Sequence, residues 1–514
     1  MYVRKKPNRS GSTSVVVIEK RNNKCHYLKT IGVSSDIKEI EGLYLQGKKW
    51  ILEQKAQRDM FLEYTRQGEE KSVVEEFLNK VEHILLNGTQ LILNPVYKSI
   101  GFDKINDNIL KHLVVSRICQ PQSKVATSDY LKSYFDEDVN LNKIYRYLDK
   151  LSDTQKDKIQ EISVNHTKKV LGGKIGVVFY DVTTLYFETD EGDGFREKGW
   201  SKDGKHSLPQ VVLGLMVSEG GYPLAYSIHE GNKYEGYTML PIVKDFVKKF
   251  KLEDFVVVAD SGLMNAKNIA ELEKNDYKYI IGARIKNENK VVTEWILSQN
   301  KVDGSFYNYQ KTKQQKLILG YSEQRDKKDA YNRDKGIKRL EKEYKSGSIT
   351  KDKINKRGYN KFLKIADNVN IEIDYLKISE DAKWDGLKGY ITNTNLSATD
   401  VYQQYSELWQ VERAFRVTKG VLELRPMFHF TKNRIEAHVC ICFVAYKVYK
   451  ELERILKANG IMMSVDKVLS IAKTITTVKV KLQESKETIT KTMLLTDKHK
   501  SIAKLFENDF WSRI

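Results

Sequence analysis

The sequence predicts an α/β protein, and three features support that prediction. Gly176–Glu188 is predicted to be one strand, because nearly all of its residues are β-branched or aromatic. Gln210–Ser218 and Tyr222–His229 are predicted to form a hairpin, after which helical and strand-like stretches alternate. Within that alternation Phe255–Ala259 is wholly apolar, as is typical of a strand buried on both faces. Meandering strands followed by alternating helices and strands indicate a sheet covered by helices.

The composition favours several folded domains and a polyanionic partner. A chain of 514 residues is too long for one ordinary core, and its 40% hydrophobic content argues against disorder. The 87 Lys and Arg against 68 Asp and Glu give a net charge of +19. That charge favours nucleic acid first and an anionic membrane surface second, although surface solubility explains it equally well.

The cysteines and the hydropathy pattern bear on the compartment. Four cysteines at uneven spacing imply no disulfide framework and fit a reducing environment. No stretch approaches the ~18 consecutive apolar residues of a membrane span. We therefore expect a soluble, cytoplasmic protein without a membrane partner.

The region before the first long strand is predicted to hold a basic hairpin and then helices. Residues 1–35 carry eight Lys or Arg against one acidic residue, and two strands are expected to turn at Asn22 and Asn23. Residues 36–170 are predicted to be mostly helical, with Ser72–Leu86 as one helix. The short helices up to residue 170 resemble a helix-turn-helix DNA-binding region, and plain helical scaffolding is the alternative. The basic residues expected on their surface are Lys124, Lys132, Lys143 and Arg146.

The order of elements after residue 170 matches a ribonuclease-H-like catalytic domain that is interrupted by an insertion. The domain is predicted to occupy residues 171–284 and 389–455, with 456–514 as a C-terminal tail region. The insertion, residues 285–388, is predicted to be β-rich. Within it, Lys311–Lys364 holds 18 Lys or Arg and 7 Asp or Glu, a net +11, which indicates phosphate contact.

Three carboxylates occupy positions that the surrounding strand or helix pattern does not explain. Asp181 interrupts an apolar strand, and burying a charge is costly unless it is paired or bound to a metal. Asp260 ends the strand Phe255–Ala259, at the edge where α/β sheets bind ligands, with helix capping as the alternative. Glu412 lies on the predicted helix Thr399–Lys419, either facing a site or making local ion pairs. The stripe that contains it has spacings of 3, 4, 3 and 4 and comprises Tyr405, Leu408, Glu412, Phe415 and Lys419.

Gathered carboxylates predict a metal site. At ~4 Å and an effective dielectric of ~20, each pair of like charges repels by about 4 kcal/mol, so such a cluster needs cations. Oxygen ligands suit Mg²⁺ or Mn²⁺, and two such ions can activate and stabilise the oxygens of a phosphodiester. Together with the basic surface, this arrangement indicates phosphoryl transfer on DNA.

At these residues the chain resembles the DDE transposases of the insertion-sequence-four superfamily, a cut-and-paste group, and especially its long subgroup. Asp181 with Thr183 or Thr184 and Phe187-Glu188 is similar to the first motif of that family, and Asp260-Ser261-Gly262 to the second. The third motif is Tyr, two residues, Arg, three residues, Glu, six residues and Lys. Tyr405, Glu412 and Lys419 fit it, whereas Leu408 stands at the Arg position.

The resemblance implies a function for each of these residues. Asp181, Asp260 and Glu412 would bind Mg²⁺, for which Mn²⁺ can substitute, while Tyr405 and Lys419 would hold a phosphate. It also implies that water frees a 3′-OH at the element's terminal inverted repeats, and that this 3′-OH attacks target DNA. A homodimer on DNA, in association with the bacterial nucleoid, is expected. The alternatives are a DNA-binding protein without catalysis and a nuclease without strand transfer.

Other residues are weaker candidates. Trp384 is the candidate for stacking on a flipped base, with Trp409 and Trp295 as rivals and a structural tryptophan as the alternative in each case. Arg413, Arg416 and Lys202 are expected to face DNA or solvent. The neighbouring His438, Cys440 and Cys442 have metal-binding side chains, but a helix spreads them over different faces, so we expect them to be structural.

Overall fold

The computed structural model describes residues 1–21, 24–201, 203–252, 254–263, 265–346, 349, 358–366, 370–482 and 485–506. The predicted turn at Asn22 and Asn23 and the candidate Lys202 lie outside these residues. The chain divides into two compact units, Met1–Ile84 with Val478–Lys491 and Leu85–Thr477 with Thr492–Arg513.

The strands, in chain order, are β1 (Tyr2–Pro7), β2 (Thr13–Arg21), β3 (Lys24–Ser34), β4 (Val81–Leu85), β5 (Val177–Tyr186), β6 (Glu197–Lys198), β7 (Pro209–Ser218), β8 (Pro223–Glu230), β9 (Val256–Ala259), β10 (Lys278–Ala283), β11 (Phe306–Gln310), β12 (Lys316–Tyr321), β13 (Leu363–Ala366), β14 (Asn370–Ile373), β15 (Leu387–Thr392), β16 (Thr476–Lys481) and β17 (Thr488–Met493). The α-helices are α1 (Ile37–Asn79), α2 (Gly88–Ile100), α3 (Asn108–Cys119), α4 (Lys124–Phe135), α5 (Leu141–Val170), α6 (Met239–Phe250), α7 (Ala266–Lys274), α8 (Lys290–Ser298), α9 (Glu323–Lys345), α10 (Tyr375–Ala382), α11 (Ala398–Ser406), α12 (Trp409–Arg416), α13 (Lys432–Ala458), α14 (Val465–Ala472) and α15 (Asp497–Ala503).

The first unit is an antiparallel sheet of β1, β2 and β3 packed on α1. Val3, Val15 and Val17 form its buried core, and Ile40 and Leu43 of α1 pack against them. The predicted hairpin therefore gains a third strand, β1. The prediction that a helix continues to Leu86 is wrong, because α1 ends at Asn79 and β4 follows.

The second unit is built on a mixed sheet that has nine strands in the described part of the chain. Its order is β11-β12-β15-β10-β9-β5-β7-β6, and β8 pairs with β7. The neighbours β5, β9 and β10 run parallel, whereas β7 is antiparallel to both β5 and β8. The sheet thus confirms the predicted α/β class, with the predicted strands at its centre.

Side-chain alternation along β5 divides the core of the second unit into two layers. Val177 and Phe179 lie in the larger core, which also contains residues of α2 to α5, α12 and α13. Val178 and Tyr180 lie in the other core, together with α6 and α7. The period of two in a strand is what sends successive side chains to opposite faces.

The helices α3, α4 and α5 occupy the region that is predicted to bind DNA. Lys132, Lys143 and Arg146 are solvent-accessible there, as expected. Lys124 is not, because only 5% of it is accessible to solvent, so the prediction of an exposed Lys124 is wrong. The cause is the tertiary packing of the segment before α13, as described below.

Residues 285–388 are mixed and not β-rich. The helices α8, α9 and α10 cover more of the described residues than the strands do, and β11 and β12 extend the main sheet beside β15. In the described part of the chain, we find no helix that is both long and apolar enough to cross a membrane.

Candidate active site

Asp181 and Asp260 lie side by side at one level of the sheet. The parallel strands β5 and β9 pair in a register that places Tyr180 opposite Ala259, and each aspartate is the next residue along the chain. Because side chains alternate between the two faces of a strand, both aspartates are on the same face of the sheet as Phe179 and Val258. The side chains of Phe179 and Val258 lie in the core beneath α12. The strand register therefore places the two aspartates at the same level of neighbouring strands.

The two aspartates differ in their surroundings. Asp181 is half-buried, and the backbone N–H of Val182 donates a hydrogen bond to its Oδ1 at 2.8 Å. Asp260 follows the last residue of β9 and is exposed. Its Oδ1 accepts a hydrogen bond from the Tyr405 hydroxyl at 3.1 Å. One aspartate is therefore held by the adjacent backbone and the other by a side chain from α11.

Tyr405 is a fixed hydrogen-bond donor. It is 6% exposed, and burial, together with the charge of Asp260, raises the pKa of its phenol, so the hydroxyl keeps its proton. Gly282 on β10 makes room for it, since a Cβ at that position would lie 2.6 Å from the Tyr405 oxygen and 3.4 Å from Asp260 Oδ1. The sequence analysis missed Gly282.

Glu412 lies on α12, which packs on β5 through the buried Val411 and Phe415. Its own side chain is exposed. Among the described residues, no group of three His, Cys, Asp or Glu side chains stands close enough together to hold a metal ion. The donor set is nevertheless all oxygen, as a hard divalent cation requires, and two of the three carboxylates occupy adjacent strands.

Lys388 on β15 places a cation near Asp260 and Glu412. Its Nζ lies 4.5 Å from the centre of the Tyr405 ring and 5.5 Å from that of Tyr390. Burial lowers the pKa of Lys388, while the charges of Asp260 and Glu412 raise it, so both carboxylates act on one ammonium. Lys388 was not among the residues predicted from the sequence, although it is a charged residue on the same strand face as the buried Tyr390.

The helix predicted over Thr399–Lys419 is broken. It consists of α11, α12 and a π-helical turn, Val417–Val421. The predicted stripe is therefore divided among three pieces: Tyr405 is on α11, Glu412 on α12 and Lys419 in the π-helical turn. Lys419 Nζ lies 3.6 Å from Asp203 Oδ2, and the same oxygen forms an ion pair with Arg425.

The remaining candidates have different surroundings. Arg413 is engaged in an ion pair with Glu453, whereas Arg416 is exposed at the end of α12. Trp295 packs against Tyr309 in a small core, and Trp409 is exposed. Trp384 is half-buried beside Lys286. The contacts of these residues with DNA stay predictions.

A cavity of about 790 Å³ opens beside Asp260, Tyr405 and Lys388. Trp384 also lines it, so this tryptophan shares one cavity with a candidate catalytic aspartate. Its other charged lining residues are mostly basic and comprise Arg284, Lys286, Arg325, Asp329, Arg333, Lys361, Asp381 and Asp385. The cavity therefore suits an anionic ligand next to the carboxylates.

Residues 172–447 match a family model described as a transposase DDE domain. This chain belongs to the DDE transposase family. The matched range contains Asp181, Asp260, Tyr405, Glu412 and Lys419. No curated protein matches this transposase.

One solved structure to which the transposase is similar is that of the piggyBac transposase, in a cryo-EM synaptic complex with hairpin DNA. The identity is 10%, the similarity covers 71% of this chain and 70% of that chain, and the TM-score is 0.38.

Proposed function

We propose that this transposase cuts DNA at the ends of an insertion sequence and joins the freed 3′-OH to target DNA. The observation that carries the proposal is the position of Asp181 and Asp260, each one residue beyond the paired Tyr180 and Ala259 of adjacent strands, within the DDE domain. We also propose a ribonuclease-H-like catalytic domain with residues 285–388 as its insertion, a proposal that the strand order β8-β7-β5-β9-β10 supports.

We propose Mg²⁺, or Mn²⁺ in its place, as the cofactor, held by Asp181, Asp260 and Glu412. Bound there, a divalent cation supplies Lewis-acid stabilisation of the charge on the scissile phosphate. Three gathered carboxylates repel one another, so a bound cation would stabilise this arrangement.

The other side chains of the site have positioning and binding functions in this proposal. The Tyr405 hydroxyl orients Asp260 Oδ1 through its hydrogen bond. Lys388 and Lys419 would bind phosphates near the cut, and Trp384 offers a stacking surface for a base in the cavity that it lines with Lys388. The DNA partner is the element's terminal inverted repeats and then the target, with a homodimer holding both ends.

The test is a strand-resolved cleavage and joining assay. The full chain is incubated with Mg²⁺ and DNA that carries the repeats flanking its gene, and both nicked and joined products are measured. We expect Asp181→Asn, Asp260→Asn and Glu412→Gln to abolish both products. Cleavage without joining would favour a nuclease, and binding without cleavage would favour a DNA-binding protein; either result contradicts the proposal.

A further inference from the structure

A second cavity, of about 420 Å³, lies between the start of α4 and the segment that leads into α13. None of the predicted DDE residues lines it. Its lining residues are Arg117, Gln122, Ser123, Lys124, Tyr145, Glu423, Pro426, Phe428, His429, Phe430, Thr431, Arg434 and His438. Glu423 is the one acid among these described residues, so the cavity is strongly basic.

Lys124 is the most unusual of these residues. It is 5% exposed, and its ammonium makes no hydrogen bond or ion pair with any described residue. Burial, and the nearby charge of Arg117, lower the pKa of Lys124 to about 7. A mostly buried ammonium keeps little of its water, so an acceptor that enters the cavity would stabilise it.

His438 adds a second buried group without a hydrogen bond. It is 4% exposed, and neither ring nitrogen makes a well-formed hydrogen bond to a described residue, although the backbone of Leu424 lies close enough to raise its pKa. Its ring lies 5.4 Å from that of His429. Burial and the charges of Arg117 and Lys124 lower the pKa of both imidazoles, so their neutral rings can each still donate one N–H.

Two neighbouring guanidinium groups are already engaged. Arg117 Nη2 donates to the Gln122 carbonyl at 3.2 Å, and Arg434 forms a bidentate pair with Asp149 at 2.6 and 3.0 Å. Lys124 and His438 therefore stand out as the groups whose hydrogen-bonding capacity is unused. Both line the same cavity, and an anion there would accept from both.

Aromatic residues add a further clue to the ligand. Phe428 and Phe430 also line the cavity, yet 68% and 64% of them are exposed to solvent. The Arg196 guanidinium lies 5.4 Å from the centre of the Phe430 ring. Exposed aromatic rings beside a basic cavity are typical of proteins that stack on nucleobases while they bind the backbone.

We infer that this cavity binds a phosphate of a DNA strand through Lys124 and His438, with the adjacent base against Phe428 or Phe430. The inference rests on the proposed function for its choice of DNA as the source of the phosphate. The position in the chain supports that choice, because the lining residue Glu423 closely follows Lys419, a candidate phosphate contact.

The central experiment measures DNA binding by the full chain without cleavage. The background is Asp181→Asn, and the probe is a fluorescent single-stranded oligothymidylate, titrated at several salt concentrations. Lys124→Met keeps the length of the side chain and removes its charge, and Lys158→Met removes a charge from the exposed surface of α5 as the control. We expect Lys124→Met to weaken binding about tenfold and to lower the salt slope by about 0.7, the value for one phosphate of a single strand.

Two further arms separate the sources of the phosphate. Inorganic phosphate should raise the melting temperature of the wild type and of Lys158→Met but not that of Lys124→Met. Phe428→Ala and Phe430→Ala together should weaken binding of the oligothymidylate but not of an abasic oligomer. Wild-type affinity and salt slope in Lys124→Met would overturn the inference. A phosphate effect that depends on Lys124, without any effect on DNA binding, would overturn the DNA assignment.

This design keeps the two proposals distinguishable. The phosphate-dependent melting temperature does not require cleavage, and the binding assay uses a variant that we expect to be inactive. A chain that cleaves nothing but loses affinity through Lys124→Met would contradict the proposed function and support the cavity. A chain that cleaves normally and whose affinity is unchanged by Lys124→Met would support the proposed function and contradict the phosphate site in the cavity.

Discussion

The carboxylate site and the basic cavity differ in the sign of the charged side chains that are gathered there. In the first, Asp181, Asp260 and Glu412 surround a sheet edge where Lys388 is a nearby cation. In the second, Lys124 and His438 are buried in a cavity with a single acid among its described lining residues. Because gathered like charges repel one another and a buried charge is costly, we expect a cation to stabilise the first region and an anion to stabilise the second. The two proposals therefore assign a cation to the first region and a phosphate to the second.

Lys447 and Lys124 are both buried, but they differ in their hydrogen-bond acceptors. Lys447 is fully buried, and its ammonium donates to the Ser163 carbonyl and to the Thr167 hydroxyl. Lys124 is almost as buried and has no such acceptors among the described residues. Lys447 is therefore satisfied within the fold, whereas Lys124 is available to an external acceptor.

The largest expected effect comes from removing charge at the carboxylate site. We expect Asp181→Asn, Asp260→Asn and Glu412→Gln to lower single-turnover cleavage by more than roughly a thousandfold, about 4 kcal/mol of transition-state stabilisation. Asp276→Asn is the matched control, since this exposed aspartate lies just before β10 and makes a surface ion pair with Lys278. Comparable rates in the control and the site variants would remove the distinction between them.

A smaller effect is expected from the support of Asp260. Tyr405→Phe removes the hydroxyl that donates to Asp260 Oδ1, and a hydrogen bond to a charged group is worth about 1.5–3 kcal/mol. We therefore expect cleavage to fall about tenfold to a hundredfold, measured with saturating Mg²⁺. Gly282→Ala should act in the same direction by displacing Tyr405, and the double variant should lose little more than either single variant.

Both buried lysines should make the free energy of unfolding depend on pH. Burial lowers the pKa of both to about 7, below the value in the unfolded chain. Between these values the unfolded chain binds more protons, so stability rises with pH above the folded-state pKa, by on the order of 1 kcal/mol per pH unit for each lysine. Lys124→Met and Lys447→Met should each flatten the pH dependence of urea-unfolding free energies above neutral pH.

Phosphate should then act on one lysine only. Neighbours of Lys124 include the charge of Arg117 and the thiol of Cys442, and a bound anion would raise its pKa and remove its share of the pH dependence. The share of Lys447, which lies near Glu451, should remain. Equal responses of both lysines to phosphate would contradict the comparison.

The smallest effect concerns two arginines of α12. Arg413 is paired with Glu453, whereas Arg416 is exposed. We expect Arg416→Gln to lower the salt slope of binding to duplex DNA by about 1, and Arg413→Gln to leave it unchanged. Fluorescence anisotropy at several salt concentrations measures both, and a larger change in Arg413→Gln would reverse the assignment.

Local sequence patterns were sufficient for the centre of the sheet. The apolar strands β5 and β9 and the aspartates beside them follow from residue type, because strand propensity and an out-of-place charge are both local signals. The break between α11 and α12 was not predictable in this way. Glu407 and Leu408 keep helical dihedrals there, so the side-chain spacing passes through the break unchanged.

Long-range packing accounts for what the sequence could not predict. Val81–Leu85 has the apolar content of a helix end but pairs with β16, a strand near the other end of the chain. Lys124 follows the capping residue Ser123, where a lysine is usually solvated, and it becomes buried beside residues 423–438. Propensity and spacing carry no information about such distant partners.

The most direct test of the central claim is to measure Mn²⁺ binding by electron paramagnetic resonance in the presence of terminal-repeat DNA. We predict that the wild type and Asp276→Asn bind Mn²⁺, and that Asp181→Asn and Asp260→Asn lose this binding while they still bind DNA. Equal Mn²⁺ binding by all four proteins would contradict the assignment of the carboxylate site as the cation-binding centre of this transposase.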